Sequence, residues 1–270
     1  MKPFILTALL VSGLAGVFTQ NVQAQQDTTK KKDYKFSVQF GSEDQHNGRR
    51  SRRDTIRTED QTKGHFVGGI TFTRIDLGFS KLIDNGSFSL SPTNDFLDYK
   101  PGKTSTVSFD VLQFGYRFNQ NFKIYLAGGF DWTLIRLKKD ITIQNEPLNL
   151  AYIQEDVHFD KNRFSSSYVH VPLNFELRTK ENDNGKRFYF VFGPEIGFLL
   201  NGKIKQISDE RGKQKVKDDY HFQPFRYGGS VRIGYGSLGV FTKYYVNDMF
   251  DTPAQKGLRN MSFGITLGLN

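Results

Sequence analysis

The sequence predicts an all-β protein, an eight-stranded antiparallel up-and-down transmembrane β-barrel preceded by a signal peptide and a disordered leader. Three observations predict it. Apolar and polar residues alternate over segments longer than the five or six residues of a common soluble strand. The connections between those segments alternate between long and short. The N-terminus reads as an export signal, and no later stretch is apolar for long enough to form a spanning helix.

Composition fits this class. Only 37% of the 270 residues are hydrophobic, yet 26 Phe, 12 Tyr and 26 Gly favour strands and turns over helices. The chain has no cysteine, which excludes disulfides and thiolate metal sites. A net charge of +9 would suit nucleic acid or an anionic surface. Export argues against nucleic acid.

The export signal occupies residues 1–24, within "MKPFILTALLVSGLAGVFTQNVQAQ". Lys2 supplies the positive start, Phe4 to Phe18 the apolar run, and "VQA" ending at Ala24 the cleavage site. The run falls short of the ~20 residues needed to span a bilayer. Residues 25–62 form a polar leader with "DTTKKKDYKF" and "NGRRSRRDTIRTEDQ", too hydrophilic to repay chain ordering. Only "KFSVQF" within it has strand character. Residues 63–270 are assigned to the barrel.

The strands follow in order. The first, "HFVGGITFTRIDLGF", changes apolar phase between Phe72 and Ile75, which marks a bulge or a strand end. The second, Thr106 to Phe118, shifts near Val111 and Leu112. The third places Phe122, Ile124, Leu126, Phe130 and Trp132 on one face and Lys123 and Asp131 on the other. The fourth sets Val171, Leu173 and Phe175 against His170 and Glu176. The fifth sets Phe190 and Phe192 against Glu195, and the sixth Ile233 against Arg232. The seventh, "LGVFTKYYVN", carries Lys243. The eighth alternates Phe263, Ile265 and Leu267 with Gly and Thr, ending at Leu269. The apolar sets are predicted to face the membrane, with Phe122, Trp132, Tyr227 and Tyr244 in its interfacial girdles. Gly128–Gly129 and Gly228–Gly229 suit tight curvature, and Pro172 and Pro194 predict local bulges, since proline cannot donate to a ladder.

Connections convert eight strands into a barrel. "NQN", "KENDNGK" and Gly236–Ser237 are short; the intervening links are long, as in outer-membrane barrels with tight periplasmic turns and extended external loops. Eight strands return both ends of the barrel to the periplasmic side. A membrane strand needs about 9–11 residues to cross and must pair laterally along its length, which a closed barrel permits.

The segments "FLDYKPGKTSTVSFDVLQ", "SSYVHVPLNFEL" and the lysine-rich run into "PFRYGGSVRIGYG" resemble the PorT-like outer-membrane β-barrel proteins of the Bacteroidota, from about Lys63 to Asn270. The resemblance implies a cell envelope with an outer membrane, and carries over no reaction.

An eight-stranded barrel has no wide pore. Asp131, His170, Glu176, Glu195, Arg232 and Lys243, with Asp110 and Lys123, point inward and read as a plug of mutually neutralising charges. Arg232 or Lys243 would pair with Glu195 or Glu176. The expected function is a non-enzymatic structural, assembly or interaction protein of the cell outer membrane, its leader in the periplasm. Expected partners are membrane lipid including lipopolysaccharide, whose phosphates suit the basic excess, and envelope proteins met through the leader or external loops. The lysine-rich segment Lys203–Tyr220 is the expected contact loop. No cofactor motif is present. Two alternatives remain: a lipid- or peptide-modifying enzyme using rim residues near Ser165–Ser167 and His170, and a narrow ion channel. Asp156, His158 and Asp160 form a weaker hard-cation candidate.

Overall fold

The computed structural model describes residues 64–70, 74–145 and 150–268. The expected signal peptide, leader, "KFSVQF" strand and final Leu269 lie outside these residues. Twelve strands are present: β1 (His65–Ile70), β2 (Arg74–Asp84), β3 (Ser105–Arg117), β4 (Phe122–Arg136), β5 (Ile141–Asn145), β6 (Leu150–Gln154), β7 (Lys161–Arg178), β8 (Phe188–Ser208), β9 (Gly212–Asp218), β10 (Phe225–Tyr235), β11 (Leu238–Tyr245) and β12 (Leu258–Gly268). Three single 3-10 turns complete the ordered backbone.

The wall is a ring. β2 pairs with β3, β3 with β4, then β7, β8, β10, β11 and β12 follow, and β12 returns to β2. All of these contacts are antiparallel. β1 lies along the other half of β3 and serves with β2 as one wall strand. Eight wall strands result, and closure removes the unpaired edges that lipid would not tolerate.

Two phase shifts expected from sequence appear as irregularities of register. Ile70 pairs with Leu112 and Ile75 with Phe109, so the first wall strand spends more residues than β3 across that interval. Residues 71–73, where part of the expected phase change falls, lie outside the described set. Between β3 and β4 the register shifts between Asp110 and Leu112, leaving Val111 as the extra residue. The bulges expected at Pro172 and Pro194 are absent. Pro172 still pairs with Glu195 and Phe175 with Phe192 in one unbroken register. The prolines cost rungs of the ladder instead: the pairs between those positions are missing. The shift in this pair of strands lies between Ser167 and Tyr168, opposite Leu200, where no proline stands.

Along each wall strand the side chains alternate between the outer surface and the lumen. Leu126, Phe190, Phe192, Ile233, Phe263 and Ile265 are exposed on the outside. Phe122, Ile124, Phe130, Trp132, Val171, Leu173, Phe175 and Leu267 are half-buried on the same outer surface, flanked by their neighbours. Aromatic contacts run across it, with Phe175 on Phe192 at 5.5 Å and Phe130 on Trp132 at 5.8 Å.

The short links 118–121, 179–187 and Gly236–Ser237 lie at one end, where Gly268 N–H donates to Ser237 O. At the other end the strands outrun the apolar belt and their polarity inverts. On β7 the outward residues change from Val171 and Val169 through Ser167 and Ser165 to Arg163 and Lys161, while the inward ones change from His170 and Ser166 to Phe164. The same happens on β8: Phe198 and Leu200 give way to Lys203 and Lys205 outside, and Ile204 turns in. Leu200 is the residue that makes this possible. It is the extra residue of the β7–β8 shift, and without it Lys203 and Lys205 would point inward, because one residue of slip exchanges the faces of a strand.

The apolar core therefore sits beyond the belt. Leu82, Ile135, Phe164, Ile204 and Leu258 close the mouth from the strand ends, and Leu97, Ile141, Phe222 and Phe250 descend from the long links. Phe164 stacks on Phe222 at 4.8 Å, and Phe222 on Phe250 at 4.9 Å. The hairpin β5–β6 is fastened to this cap by Asn162 Nδ2 and Gln206 Nε2, which both donate to Ile141 O, at 2.6 and 3.1 Å. The lysine-rich segment expected as a loop is instead a hairpin, in which β9 pairs with the far end of β8 from Ser208↔Gly212 to Gly202↔Asp218.

Candidate functional site

The lumen below the cap is crossed by three tiers of polar side chains, each built from inward positions of different strands. The tier nearest the cap joins β3, β4, β7, β8, β10 and β11. Lys243 Nζ lies 2.7 Å from Asp131 Oδ2 and 3.0 Å from Glu195 Oε1. Tyr245 Oη lies within hydrogen-bond distance of the same two carboxylates, at 2.9 and 2.7 Å. Arg226 reaches Asp131 at 3.0 Å, with its guanidinium held between the rings of Tyr168 and Tyr245 at 3.7 and 4.0 Å. His170 fills the space between Glu195 and Asp110, its two ring nitrogens 3.2 and 3.1 Å from their oxygens.

That space exists because residue 129 is glycine. A Cβ there would fall 2.0 Å from Phe109 O and 2.8 Å from His170 Nε2. Neighbouring Gly128 points outward, where a Cβ would meet only Leu112 Cβ at 3.9 Å.

In the middle tier Arg232 binds Asp76 through Nε and Nη2 at 3.0 and 2.7 Å. Ser108 and Thr266 also donate to Asp76. In the tier nearest the short turns Lys123 lies 3.4 Å from Glu176, and Arg178 bonds the same carboxylate. Arg74 donates to Tyr125 Oη at 2.7 Å. Opposite charges meet in every tier, as burial of ions demands.

The six residues assigned to the network by sequence are all buried, but they form separate groups. Asp131, His170, Glu195 and Lys243 come together. Glu176 belongs with Lys123, and Arg232 with Asp76, so the expected partnership of Arg232 with Glu195 or Glu176 does not form. Sequence reasoning missed Asp76, Arg74 and Arg226. Asp76 lies next to the phase change of the first strand, and Arg226 stands at the start of its strand, where alternation says least.

Asp131, His170 and Glu195 bring three donor atoms within 4.8 Å, the sole such group among the described residues. The donors would suit a cation, and Lys243 Nζ already occupies that role between two of them. Asp156, His158 and Asp160 do not converge: His158 Nδ1 instead approaches Asp140 Oδ2 at 2.8 Å. Ser166 is buried in the wall opposite Thr133, and both nitrogens of His170 face carboxylates.

In the cap, Asp140 accepts from Phe159 N–H at 2.9 Å. Burial works against its charge, but the bonds from Phe159 and His158 prevail and hold its carboxyl below the ordinary Asp range. Burial pushes the Tyr220 phenol up to about 12.

No curated protein matches the chain. Among solved structures, a similar one is Ail, the attachment invasion locus protein of Yersinia pestis, in complex with the heparin analogue sucrose octasulfate. It shares 14% identity with a TM-score of 0.32, over 76% of this chain and 97% of that one. A family profile described as "Outer membrane protein beta-barrel domain" matches residues 65–250, which include seven of the eight wall strands. The chain belongs to the outer-membrane β-barrel domain family, and its place is the outer membrane.

Proposed function

We propose that this protein is a non-enzymatic structural or interaction component of the cell envelope: a sealed barrel that holds a folded head outside the cell. The observation that carries the proposal is the sealing itself. Three tiers of paired charges fill the lumen, and an apolar core of stacked phenylalanines closes one mouth. A conducting pore needs a continuous wet path, and an enzyme needs a reachable nucleophile or ion. His170, the one lumen imidazole among the described residues, is wholly buried between carboxylates.

In this reading the long-link end faces outward, and the short turns and N-terminal leader are periplasmic, as in other barrels with one set of tight turns. A cleaved signal at residues 1–24 would deliver the chain. The "PFRYG" and "RIGYG" segments support membership of the PorT-like proteins of the Bacteroidota. Partners are outer-membrane lipid, including lipopolysaccharide, and envelope proteins met by the head or the leader.

Purified protein in planar bilayers is expected to give no unitary conductance. It is also expected to turn over neither lipid A nor peptide substrates, with Ser166→Ala and His170→Ala as controls. Steady single-channel currents from the wild type would overturn the sealed reading, and turnover lost in either variant would establish the enzymatic one.

A further inference from the structure

The outward face above the apolar belt carries an arrangement that the fold alone does not require. Arg136 of β4 pairs with Arg163 of β7, Arg163 with Lys205 of β8, and Lys205 with Lys215 of β9. Four cations thus stand directly opposite one another in a single row across four adjacent strands. In the next row Lys203 faces Lys217, and beyond the first row Lys161 and Lys213 flank Ile207. Directly opposed like charges destabilise a sheet. Among the described residues no carboxylate is ion-paired with Arg163 or with the lysines of this face, and only Arg136 has an acidic residue, Asp160, bonded beside it, although nearby cap lysines Lys138 and Lys139 are paired with Asp98 and Asp95.

Lysines on an exposed edge such as β9 can serve simply to block edge-to-edge association. That reading covers β9 and leaves Arg163 and Lys205 unexplained, since both lie in interior strands. The position of the rows says more. They continue the outer side of the wall: on β4 Arg136 is the next outward position after Leu134 and the second after Trp132. On β8 the bulge at Leu200 holds Lys203 and Lys205 on that same side. Cations flush with the wall and just beyond its aromatic girdle stand at the depth of lipid headgroups.

We propose that this four-strand basic face binds the phosphate groups of anionic lipid in the adjoining outer leaflet. The occupant is a membrane-embedded phosphorylated lipid, whose chains lie along the apolar belt while its phosphates bridge the opposed cations. The repulsion within the rows is then neutralised on binding, and both halves of an amphipathic ligand meet a matching surface on one continuous wall. The proposal rests on the outward orientation of the long-link end given above.

The test uses the full-length protein in nanodiscs of phosphatidylcholine doped with bis-phosphorylated lipid A, with bound lipid phosphorus measured after extraction. Wild type is expected to enrich lipid A at least tenfold over its bulk fraction, with the enrichment falling steeply as salt rises. The variant Lys203→Gln/Lys205→Gln/Lys215→Gln/Lys217→Gln is expected to lose most of this. Lys138→Gln/Lys139→Gln, which alters paired cations, is expected to keep it. Retention of the heat-modifiable band in electrophoresis verifies that each variant is folded. Equal enrichment by wild type and the fourfold variant would overturn the proposal. So would tight, lysine-dependent capture of soluble inorganic polyphosphate with no lipid enrichment, which would indicate a soluble partner. Orientation is read separately, by trypsin cleavage within the β8–β9 hairpin on intact cells. If the hairpin is protected there while nanodisc enrichment persists, the orientation fails and the lipid chemistry stands.

Discussion

His170 stands between Asp110 and Glu195, with Nε2 3.1 Å from one carboxylate and Nδ1 3.2 Å from the other. Glu195 also takes Lys243 at 3.0 Å and Tyr245 at 2.7 Å, so one side chain from β8 holds groups from β7 and β11. Replacing it with Gln leaves buried Lys243 short of counter-charge and His170 short of one of its two carboxylate neighbours. Breaking a buried pair in this way costs about 3–5 kcal/mol. Glu195→Gln is therefore expected to lower the urea midpoint of the barrel in detergent clearly, while opening no conductance in planar bilayers. A conducting variant would mean that the network acts as a gate and not as filling.

Gly128 and Gly129 are adjacent in sequence and opposite in consequence. Gly129→Ala places a methyl 2.0 Å from Phe109 O and against His170, where the backbone of β3 has to move. Gly128→Ala adds a methyl on the lipid side with a single ordinary contact at 3.9 Å. Refolding into micelles, followed by gel mobility before and after boiling, is expected to show normal yield for Gly128→Ala. The yield for Gly129→Ala should drop severely.

The cap and the wall are expected to fail separately. Phe164 is fully buried and touches Phe222, Phe250 and Tyr220. Its truncation to Ala removes about 3–5 kcal/mol of packing, all of it beyond the membrane belt. Phe164→Ala should make the long links sensitive to protease while the heat-modifiable migration of the barrel is unchanged. Loss of both together would show that cap and wall fold as one unit.

Acid should loosen the base of the β5–β6 hairpin through Asp140. Its carboxyl titrates below the ordinary Asp value when folded, burial being outweighed by the bonds from Phe159 and His158. A depressed folded value contributes stability above the unfolded one, near 3.9, and that contribution is lost as pH falls through the folded value. The Phe159 amide resonance is expected to hold steady above about pH 5 and to move only below about pH 4. In Asp140→Asn the acid shift should vanish.

The wall was legible because each of its residues answers to one of two solvents, and the two alternate with every residue. Phe122 to Leu134 shows this without any knowledge of partners. The cap obeys no such period. Ile141, Phe222 and Phe250 come from three separate stretches between wall strands, and only the closed ring brings them over one opening. The bulge at Leu200 left no mark either, since neither proline nor glycine sits there. Charge pairing was legible in kind but not in address. Arg232 was readable as inward, yet its partner Asp76 is 156 positions away, brought near by the registers of β10, β11, β12 and β2 together.

The pairing of β12 with β2, from Leu258↔Asp84 to Gly268↔Arg74, dictates the order of assembly. The ring can be completed only after the last wall segment has emerged, with its two seam strands separated by most of the chain. A polypeptide interrupted before Leu258 would carry two bare ladders, one on β2 and one on β11, each able to recruit a neighbour's strand. Escort across the periplasm must therefore keep the early hairpins apart until the closing segment arrives.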